Sequence, residues 1–289
     1  MMPGSARQFD PLNNFFFYKV FGEKGNEVQL LSFINAVLGK EGENKFVSVE
    51  ILENKNFMAE IMGGKSCSLD VRAKLPNGTM VNIEVQIRDR KNMDKRSLFY
   101  LSKEFIRDLK SGQDYIILPD TIGINIVNFD FPSTKNFHSC FHLREDTEHE
   151  IILTNALEIH FLNMVKYRKQ GEAKLDDPLC RWLAWFNKNS SPKLLEEVLK
   201  MDSAIQTADE RLAYITQNAE AMLVFDSYLK AECDRTSEID FAFDKGGEKK
   251  SKEIAGRALA AGLSPEVVQE ITGLDLDIIN KLKGFSRKE

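Results

Sequence analysis

The sequence predicts an α/β fold in which a mixed sheet is flanked by helices and followed by a helical C-terminal region. Three observations predict this class. Residues 69–88 alternate as in a β-hairpin, residues 121–129 (TIGINIVNF) form an apolar β-branched run typical of a strand covered on both faces, and helical periodicity dominates from Asp177 onward. Because 43% of the 289 residues are hydrophobic, we expect one sizeable core, with room for a smaller appendage.

Charge, cysteine usage and the termini exclude several classes of protein. The formal net charge of -5 excludes a polycation that coats nucleic acid or an anionic membrane. The four cysteines occur singly, which indicates neither a disulfide framework nor a zinc ribbon. No basic segment followed by an apolar one opens the chain, and no apolar run has the length of a membrane span. We therefore expect a cytoplasmic protein that does not bind membranes.

The elements around the hairpin follow from local patterns. Residues 14–38 predict two helices interrupted near the glycines at 22–25, and residues 46–52 alternate weakly like a strand. After the hairpin, Asn92 or Asp94 is expected to cap a helix that runs to about Lys110. Residues 151–167 alternate like a strand over their first half and also fit a helix, and we favour the strand.

The C-terminal half is expected to be helical in three parts. Helices are predicted at DPLCRWLAWF, at PKLLEEVLKM and over residues 204–231, and the charged, glycine-containing segment 244–253 predicts a linker. Three short helices should follow it. Gly262 ends the first, Ser264 and Pro265 begin the second, Gly273 ends it, and Asp275 caps the third.

The register of the 69–88 hairpin decides where its two carboxylates lie. A two-residue turn at Asn77 and Gly78 would mix polar and apolar side chains on both faces. A three-residue loop over 76–78 separates the faces, and its Pro-Asn-Gly sequence suits a type I turn followed by a left-handed bulge residue. Because a buried face fixes register, we expect the second arrangement. It places Asp70 opposite Glu84, with β-carbons about 4.5–5.5 Å apart.

Two carboxylates at that separation repel each other unless their environment compensates. The pair can raise one pKa, can be neutralised by Arg72 and Lys74 as in a purely structural module, or can hold a divalent metal. Oxygen ligands without a nearby His or Cys favour Mg²⁺ or Mn²⁺ over zinc. The pattern alone fits a solvated hairpin face with balanced charges more often than a metal site.

Several separate blocks of the sequence carry a family resemblance. They are DPLNNFFFYKVFG, SFINAVL, SLDVRAK, VNIEVQ, RSLFYLSKEF, DYIILPDTIGINIVNF and LEIHFLNMVKY, and the tail AGLSPEVVQEITGLDLDIINKL fits as well. Together they resemble the recombination-promoting nucleases, also called PD-(D/E)XK nuclease family transposases, over most of the chain and most strongly over residues 10–130. With the element pattern, this implies a restriction-endonuclease-like core over 1–170, a helical region over 171–243, and a linker with a small helical module over 244–289.

The resemblance also implies an activity. It implies a Mg²⁺-dependent DNA endonuclease, with Mn²⁺ as the other candidate ion, linked to recombination or mobile DNA. The rival interpretation is a catalytically weakened DNA-binding or assembly protein that keeps the fold. The tail fits DNA binding and docking on another subunit about equally, so a homo-oligomer remains open.

The site residues are carried over position by position. Asp70 and Glu84 match the metal-binding acids of the family, the Val85 backbone carbonyl is the third expected metal ligand, and Gln86 stands where broader superfamily members often have Lys. Gln86 can orient water or phosphate but supplies no positive charge. The expected supporting residues are Arg96, Tyr100 and Lys103, which share one helical face, and the expected DNA contacts are Arg72, Lys74 and Arg88.

Some of these assignments have an equal structural alternative. Arg96 and Lys103 fit a solvated helix face equally well, whereas Tyr100 fits partly buried packing better than a role in the site. The family usually has an Asp just before the F-x-F of the opening helix, whereas this chain has Asn14. Asn14 removes a negative charge from the expected site, and it fits a helix cap as well as a catalytic role.

Two further clusters are interpreted structurally. Residues 138–150 (HSCFHLREDTEHE) gather three of the four histidines with Cys140, but the spacings do not match a compact tetrahedral set. We expect a loop with exposed histidines there rather than a zinc site. Trp182, Trp185 and Phe186 lie at helical spacing, which predicts core packing rather than a base-stacking platform.

Overall fold

The computed structural model describes residues 9–52, 70–170 and 174–285. The chain divides into two compact units, residues 1–226 and 227–289. The first unit contains a six-stranded mixed sheet with flanking helices, and the second contains a small helical module. The predicted α/β class, with a helical C-terminal region, is confirmed.

The sheet has the strand order β1-β2-β3-β4-β6-β5. Its strands are β1 (Glu50–Ile51), β2 (Val71–Lys74), β3 (Met80–Gln86), β4 (Thr121–Val127), β5 (His138–Arg144) and β6 (Ile152–Asn163). The three central strands β3, β4 and β6 run parallel, and the other pairings are antiparallel. Every residue of β4 is buried, as predicted for its apolar run.

The β2–β3 hairpin has the register that its polar and apolar faces predict. Val71 lies opposite Ile83, so paired residue numbers sum to 154. The Leu75 N–H donates to the Thr79 carbonyl at 2.9 Å, which closes a loop over residues 76–78. Gly78 has a φ of +90°, the left-handed conformation that the bulge position requires. Leu69, at the start of the predicted hairpin, lies outside the described residues.

Two short helices open the chain, as predicted. They are α1 (Asn14–Phe21) and α2 (Glu27–Val37), with the interruption at the expected glycines. The cap of α1 is Asn13, whose side chain accepts a hydrogen bond from the Phe15 N–H at 3.0 Å. The cap role considered for Asn14 is therefore wrong, because Asn14 is already the first residue of the helix.

Two predicted segments have different bounds in the structure. Helix α3 (Met93–Phe105) ends before Lys110, because the backbone at Ile106 leaves helical values (φ -96°, ψ 2°). Residues 151–167 combine both structures that were considered for them. Strand β6 ends at Asn163, whose side chain accepts from the Lys166 N–H at 2.9 Å and so caps α4 (Met164–Lys169).

The helical region of the first unit packs around an aromatic core. Its helices are α5 (Pro178–Phe186), α6 (Pro192–Met201) and α7 (Ser203–Gln217). Trp182, Trp185 and Phe186 are completely buried, which confirms the prediction of core packing. Their rings contact Phe21 and Phe33 of the opening helices.

The predicted linker is wrong, because residues 244–253 lie within the continuous helix α8 (Ala219–Ala260). Two glycines cost only about 1 kcal/mol each in a helix interior, and the surrounding Lys and Glu residues favour helix. Lys252 pairs with Glu248 one turn earlier at 2.5 Å, which adds local support. The single helix expected over 204–231 is instead interrupted at Asn218, where ψ is 115°.

The second unit ends in the second and third of the three predicted short helices, whereas the first is the C-terminal end of α8. Helix α9 (Pro265–Thr272) is capped by Ser264 and ends at Gly273, which has a φ of +66°. Helix α10 (Leu276–Phe285) begins directly after Asp275. A small core of Ala255, Val268, Leu274 and Ile279 holds the module together. Within the described residues, every helix is too short or too polar to cross a membrane.

Candidate active site

Helix α3 covers the polar face of the β2–β3 hairpin. Its inner side buries Met93, Ser97, Leu101 and Glu104. The helix approaches the sheet closely at Gly123 of β4, where an added Cβ would lie 3.3 Å from the Leu101 Cδ1 atom. Glu84 is consequently only 2% exposed. The solvated hairpin face that was considered for this acid is therefore wrong.

Glu84 is a buried carboxyl group in a strongly perturbed environment. Burial and the charge of Asp70 raise the pKa of Glu84 to about 8, while Arg96 and hydrogen bonds from Gln86 and Asn82 act in the opposite direction. The Gln86 Nε2 donates to Glu84 Oε2 at 3.3 Å. Within the described residues, the other oxygen, Oε1, is buried without a hydrogen-bond partner. A buried oxygen of this kind is costly unless a further ligand satisfies it.

A divalent cation fits this set of donors. Asp70 is close enough to raise the pKa of Glu84, and a cation would relieve the repulsion between the two carboxylates. The Gln86 carbonyl accepts a hydrogen bond from the Asn128 N–H and therefore points towards β4. Successive carbonyl groups of a strand point in opposite directions, so the Val85 carbonyl points towards β2. Asp70 lies on that side. These donors are all oxygens, which suits Mg²⁺ or Mn²⁺.

Arg96, one of the expected supporting residues, lies beside Glu84. Its Nε atom is 3.7 Å from Glu84 Oε2, and its guanidinium lies 4.8 Å from the ring centroid of Tyr100. A cation stacked on an aromatic face is held in one orientation. Lys103, two turns along α3 from Arg96, is exposed and forms no ion pair with Glu84. The structure thus brings Arg96 and Tyr100 to the site, but not Lys103.

The expected DNA contacts differ in their surroundings. Arg72 donates from Nε and Nη2 to the two oxygens of the buried Glu104, at 3.0 and 2.7 Å. Arg107 donates to the same carboxylate at 2.7 Å. Arg72 therefore ties α3 to β2, and we leave it out of the proposed DNA contacts. Lys74 and Arg88 are exposed beside the hairpin.

Three asparagines bear on the site in different ways. Asn14 Oδ1 is buried without a hydrogen-bond partner within the described residues. Sequence reasoning gave no role to Asn82 or Asn125. Asn82 lies close enough to Glu84 to lower the pKa of its carboxyl, and Asn125 is the β4 partner of Glu84 and is 4% exposed. A polar residue inside the apolar run TIGINIVNF was the available signal.

The first part of the histidine-rich segment, residues 138–144, is a strand rather than a loop. Residues His138–Arg144 form β5, which pairs with β6 and brings Cys140 and His142 next to Glu158. One ligand atom from each of these three residues lies within 4.8 Å of the others. The expected loop is therefore wrong for residues 138–144, whereas His149 lies after β5 and is exposed as expected. Cys140, His142 and Glu158 form a compact group that the spacing within the segment did not indicate. Sequence spacing missed Glu158 because it belongs to a different strand.

Comparison with known proteins places the chain in a family. The family model described as PD-(D/E)XK nuclease family transposase matches residues 11–242, a range that includes the hairpin acids, Gln86 and α3. Comparisons with curated proteins and with solved structures gave no match. The family model spans most of the chain, and the mixed sheet with flanking helices agrees with it. The chain belongs to the PD-(D/E)XK nuclease family transposases.

Proposed function

We propose that this chain is a Mg²⁺-dependent DNA endonuclease that acts in recombination or on mobile DNA. One observation carries the proposal. The buried carboxyl group of Glu84 faces the charge of Asp70 and leaves the Oε1 atom without a hydrogen-bond partner in the described part of the chain. A pair of acids that only stabilised the fold would have both carboxylates paired or solvated.

The carboxylates of Asp70 and Glu84 and the carbonyl of Val85 would hold the ion. When bound, Mg²⁺ supplies Lewis-acid stabilisation of the phosphate and lowers the pKa of an attacking water. Gln86 donates to Glu84 and so orients the carboxylate, and its amide oxygen can accept a hydrogen bond from water. Asn82, also on β3, favours the charged form of the same carboxyl by lowering its pKa.

Arg96 supplies the positive charge that Gln86 lacks. Its stacking on Tyr100 keeps the guanidinium next to Glu84, where it can bind an oxygen of the scissile phosphate. Lys74, Arg88 and Lys103 are exposed on the surrounding surface and would contact the DNA backbone. Contacts of this type weaken as salt rises, because binding releases counterions from DNA.

A plasmid-nicking assay tests the proposal. Supercoiled DNA is incubated with the parent protein and Mg²⁺, Mn²⁺ or a chelator, and with Asp70→Asn and Glu84→Gln variants that keep side-chain size. We expect nicking by the parent with either metal, and a loss of at least about 100-fold in both variants. Glu196→Gln, on the exposed face of α6, is the matched control and should cleave like the parent.

Two outcomes would contradict the proposal. Equal nicking by the parent and both acid variants would remove Asp70 and Glu84 from the site. DNA binding by the parent without cleavage under any of the metal conditions would favour the weakened DNA-binding protein. The specific observations behind that rival are the missing acid at Asn14 and the engagement of Gln86 with Glu84.

A further inference from the structure

The β5–β6 pair presents a set of potential metal ligands on one face. Alternate residues of a strand share a face. Cys140 of β5 lies directly opposite His160 of β6, and the residues two positions away from each continue the same face. The set comprises His138, Cys140 and His142 on β5 and Glu158 and His160 on β6.

The distances from the Cys140 sulfur to the other three ligand atoms are close to those of a tetrahedral zinc site. The Cys140 Sγ atom is 3.3 Å from His142 Nε2, 3.4 Å from Glu158 Oε1 and 3.8 Å from His160 Nε2. With Zn–S bonds of about 2.3 Å and Zn–N or Zn–O bonds of about 2.0 Å, tetrahedral geometry puts neighbouring ligand atoms about 3.5 Å apart. The ligand atoms of Cys140, His142 and Glu158 already lie within 4.8 Å of one another. A tetrahedral ion that also binds His160 requires His160 Nε2 and Glu158 Oε1, now 2.5 Å apart, to separate.

We propose that Cys140, His142, Glu158 and His160 form a zinc-binding site. A thiolate and two imidazoles select a soft or borderline ion over Mg²⁺. On binding, a zinc–sulfur bond replaces the S–H bond of Cys140, and the proton passes to the buffer. The ion also takes the place of the hydrogen bond between His160 Nε2 and Glu158 Oε1, which are 2.5 Å apart.

His138 acts as a positioning residue for His160. Its Nε2 atom is 2.8 Å from His160 Nδ1, and the two rings are stacked with centroids 5.1 Å apart. When His160 Nε2 binds the ion, its Nδ1–H donates to His138. Such hydrogen bonds behind a metal ligand fix the tautomer and the orientation of the ring.

This zinc site is separate from the proposed nuclease centre. Glu84 pairs with Asn125 of β4, and Asn125 pairs with Phe161 of β6, so these three side chains share one face of the sheet. His160 precedes Phe161 and therefore points to the opposite face. Because β5 is an edge strand, an ion bound here would cross-link β5 to its neighbour β6.

Cobalt substitution of the full chain tests the site directly. The protein is stripped with a chelator, exchanged into chelator-free buffer and titrated with Co²⁺, which reports a cysteine ligand through sulfur-to-cobalt charge-transfer absorption. We expect one equivalent to produce this absorption and one equivalent of Zn²⁺ to abolish it, whereas excess Mg²⁺ leaves it unchanged. Glu84→Gln should retain the absorption, which separates this outcome from that of the nuclease proposal.

Single substitutions identify the residues that bind the ion. Cys140→Ser should abolish the absorption, and His142→Asn or Glu158→Gln should weaken Zn²⁺ binding at least about tenfold. Cys233→Ser and His149→Asn change exposed residues of the same types elsewhere and should bind like the parent. The assignment is overturned if the folded parent gives no charge-transfer absorption, or if Cys140→Ser keeps it.

Discussion

Glu84 is a carboxyl group whose surroundings disfavour its charged form. Its pKa is raised from 4.5 to about 8 by burial and by Asp70. Between these two pH values the folded protein holds a proton that the unfolded chain has released. The free energy of unfolding of the metal-free protein therefore falls as the pH rises through this window. Part of the folding free energy is given up to keep a second carboxylate beside Asp70.

The substitution Glu84→Gln should stabilise the metal-free protein, and more so at high pH. At pH 5 the parent Glu84 is already protonated and resembles Gln, so the two proteins should differ little. At pH 9 the parent carries a buried charge, and the variant should be more stable by up to a few kcal/mol. Urea unfolding in the presence of a chelator at both pH values measures the difference.

Glu196→Gln is the control for this pH effect, because its carboxyl is exposed and pairs with Lys200. It should show no gain in stability at pH 9. A Glu84→Gln difference that is the same at pH 5 and pH 9 would contradict the perturbed titration of Glu84.

At the scale of elements, α3 turns a hairpin face into a buried site. The helix is held at Gly123, where the absence of a side chain admits Leu101, and at Glu104, which both Arg72 and Arg107 bind. Glu104 is 2% exposed in its side chain, and a carboxylate this buried is tolerated only when charged donors satisfy it. The same helix presents Arg96 to Glu84.

Removal of the Glu104 charge should loosen α3. Glu104→Gln leaves Arg72 and Arg107 without their shared carboxylate, and we expect a loss of about 2 kcal/mol in the free energy of unfolding. That figure is below the range for fully buried pairs, because both arginines are partly exposed. Denaturant unfolding at pH 7 measures it, and Glu196→Gln should show no measurable loss. Equal stability of Glu104→Gln and the parent would contradict the role given to this cluster.

The hairpin was predictable because local chemistry fixes it. The Pro-Asn-Gly loop and the separation of polar from apolar side chains leave one register. Continued by one residue beyond the Val71–Ile83 pair, that register sets Asp70 opposite Glu84. Burial of Glu84 was not predictable in this way, because it depends on where α3 packs. Asn125 was overlooked for a related reason, since its neighbour Glu84 belongs to another strand.

Two elements show where local patterns fail. The strand β5 carries His, Ser, Cys and Arg, and it pairs only along one edge, so it lacks the apolar alternation that identifies internal strands. The helix α8 continues through Gly246 and Gly247 because two glycines do not outweigh helix formers over many residues. The structure of β5 is decided by its pairing with β6, and that of α8 by the many helix-forming residues around its two glycines.

At the scale of the whole molecule, the chain combines a family core with a separate helical module. The family model ends at residue 242, whereas the module has its own core of Ala255, Val268, Leu274 and Ile279. The family core itself carries two candidate ion sites on opposite faces of one sheet. The hairpin site has only oxygen donors, whereas the β5–β6 site adds sulfur and nitrogen donors to one carboxylate, so different ions should occupy them.

Binding of Mn²⁺ to the stripped protein, followed by electron paramagnetic resonance, tests the central claim that Asp70 and Glu84 together hold a divalent cation. This measurement requires no knowledge of the DNA substrate. The parent should bind the ion, and Glu84→Gln and Asp70→Asn should weaken binding at least about tenfold. Glu158→Gln, on the opposite face of the sheet, should leave it unchanged. Equal Mn²⁺ affinity of the parent and both hairpin variants would contradict the account.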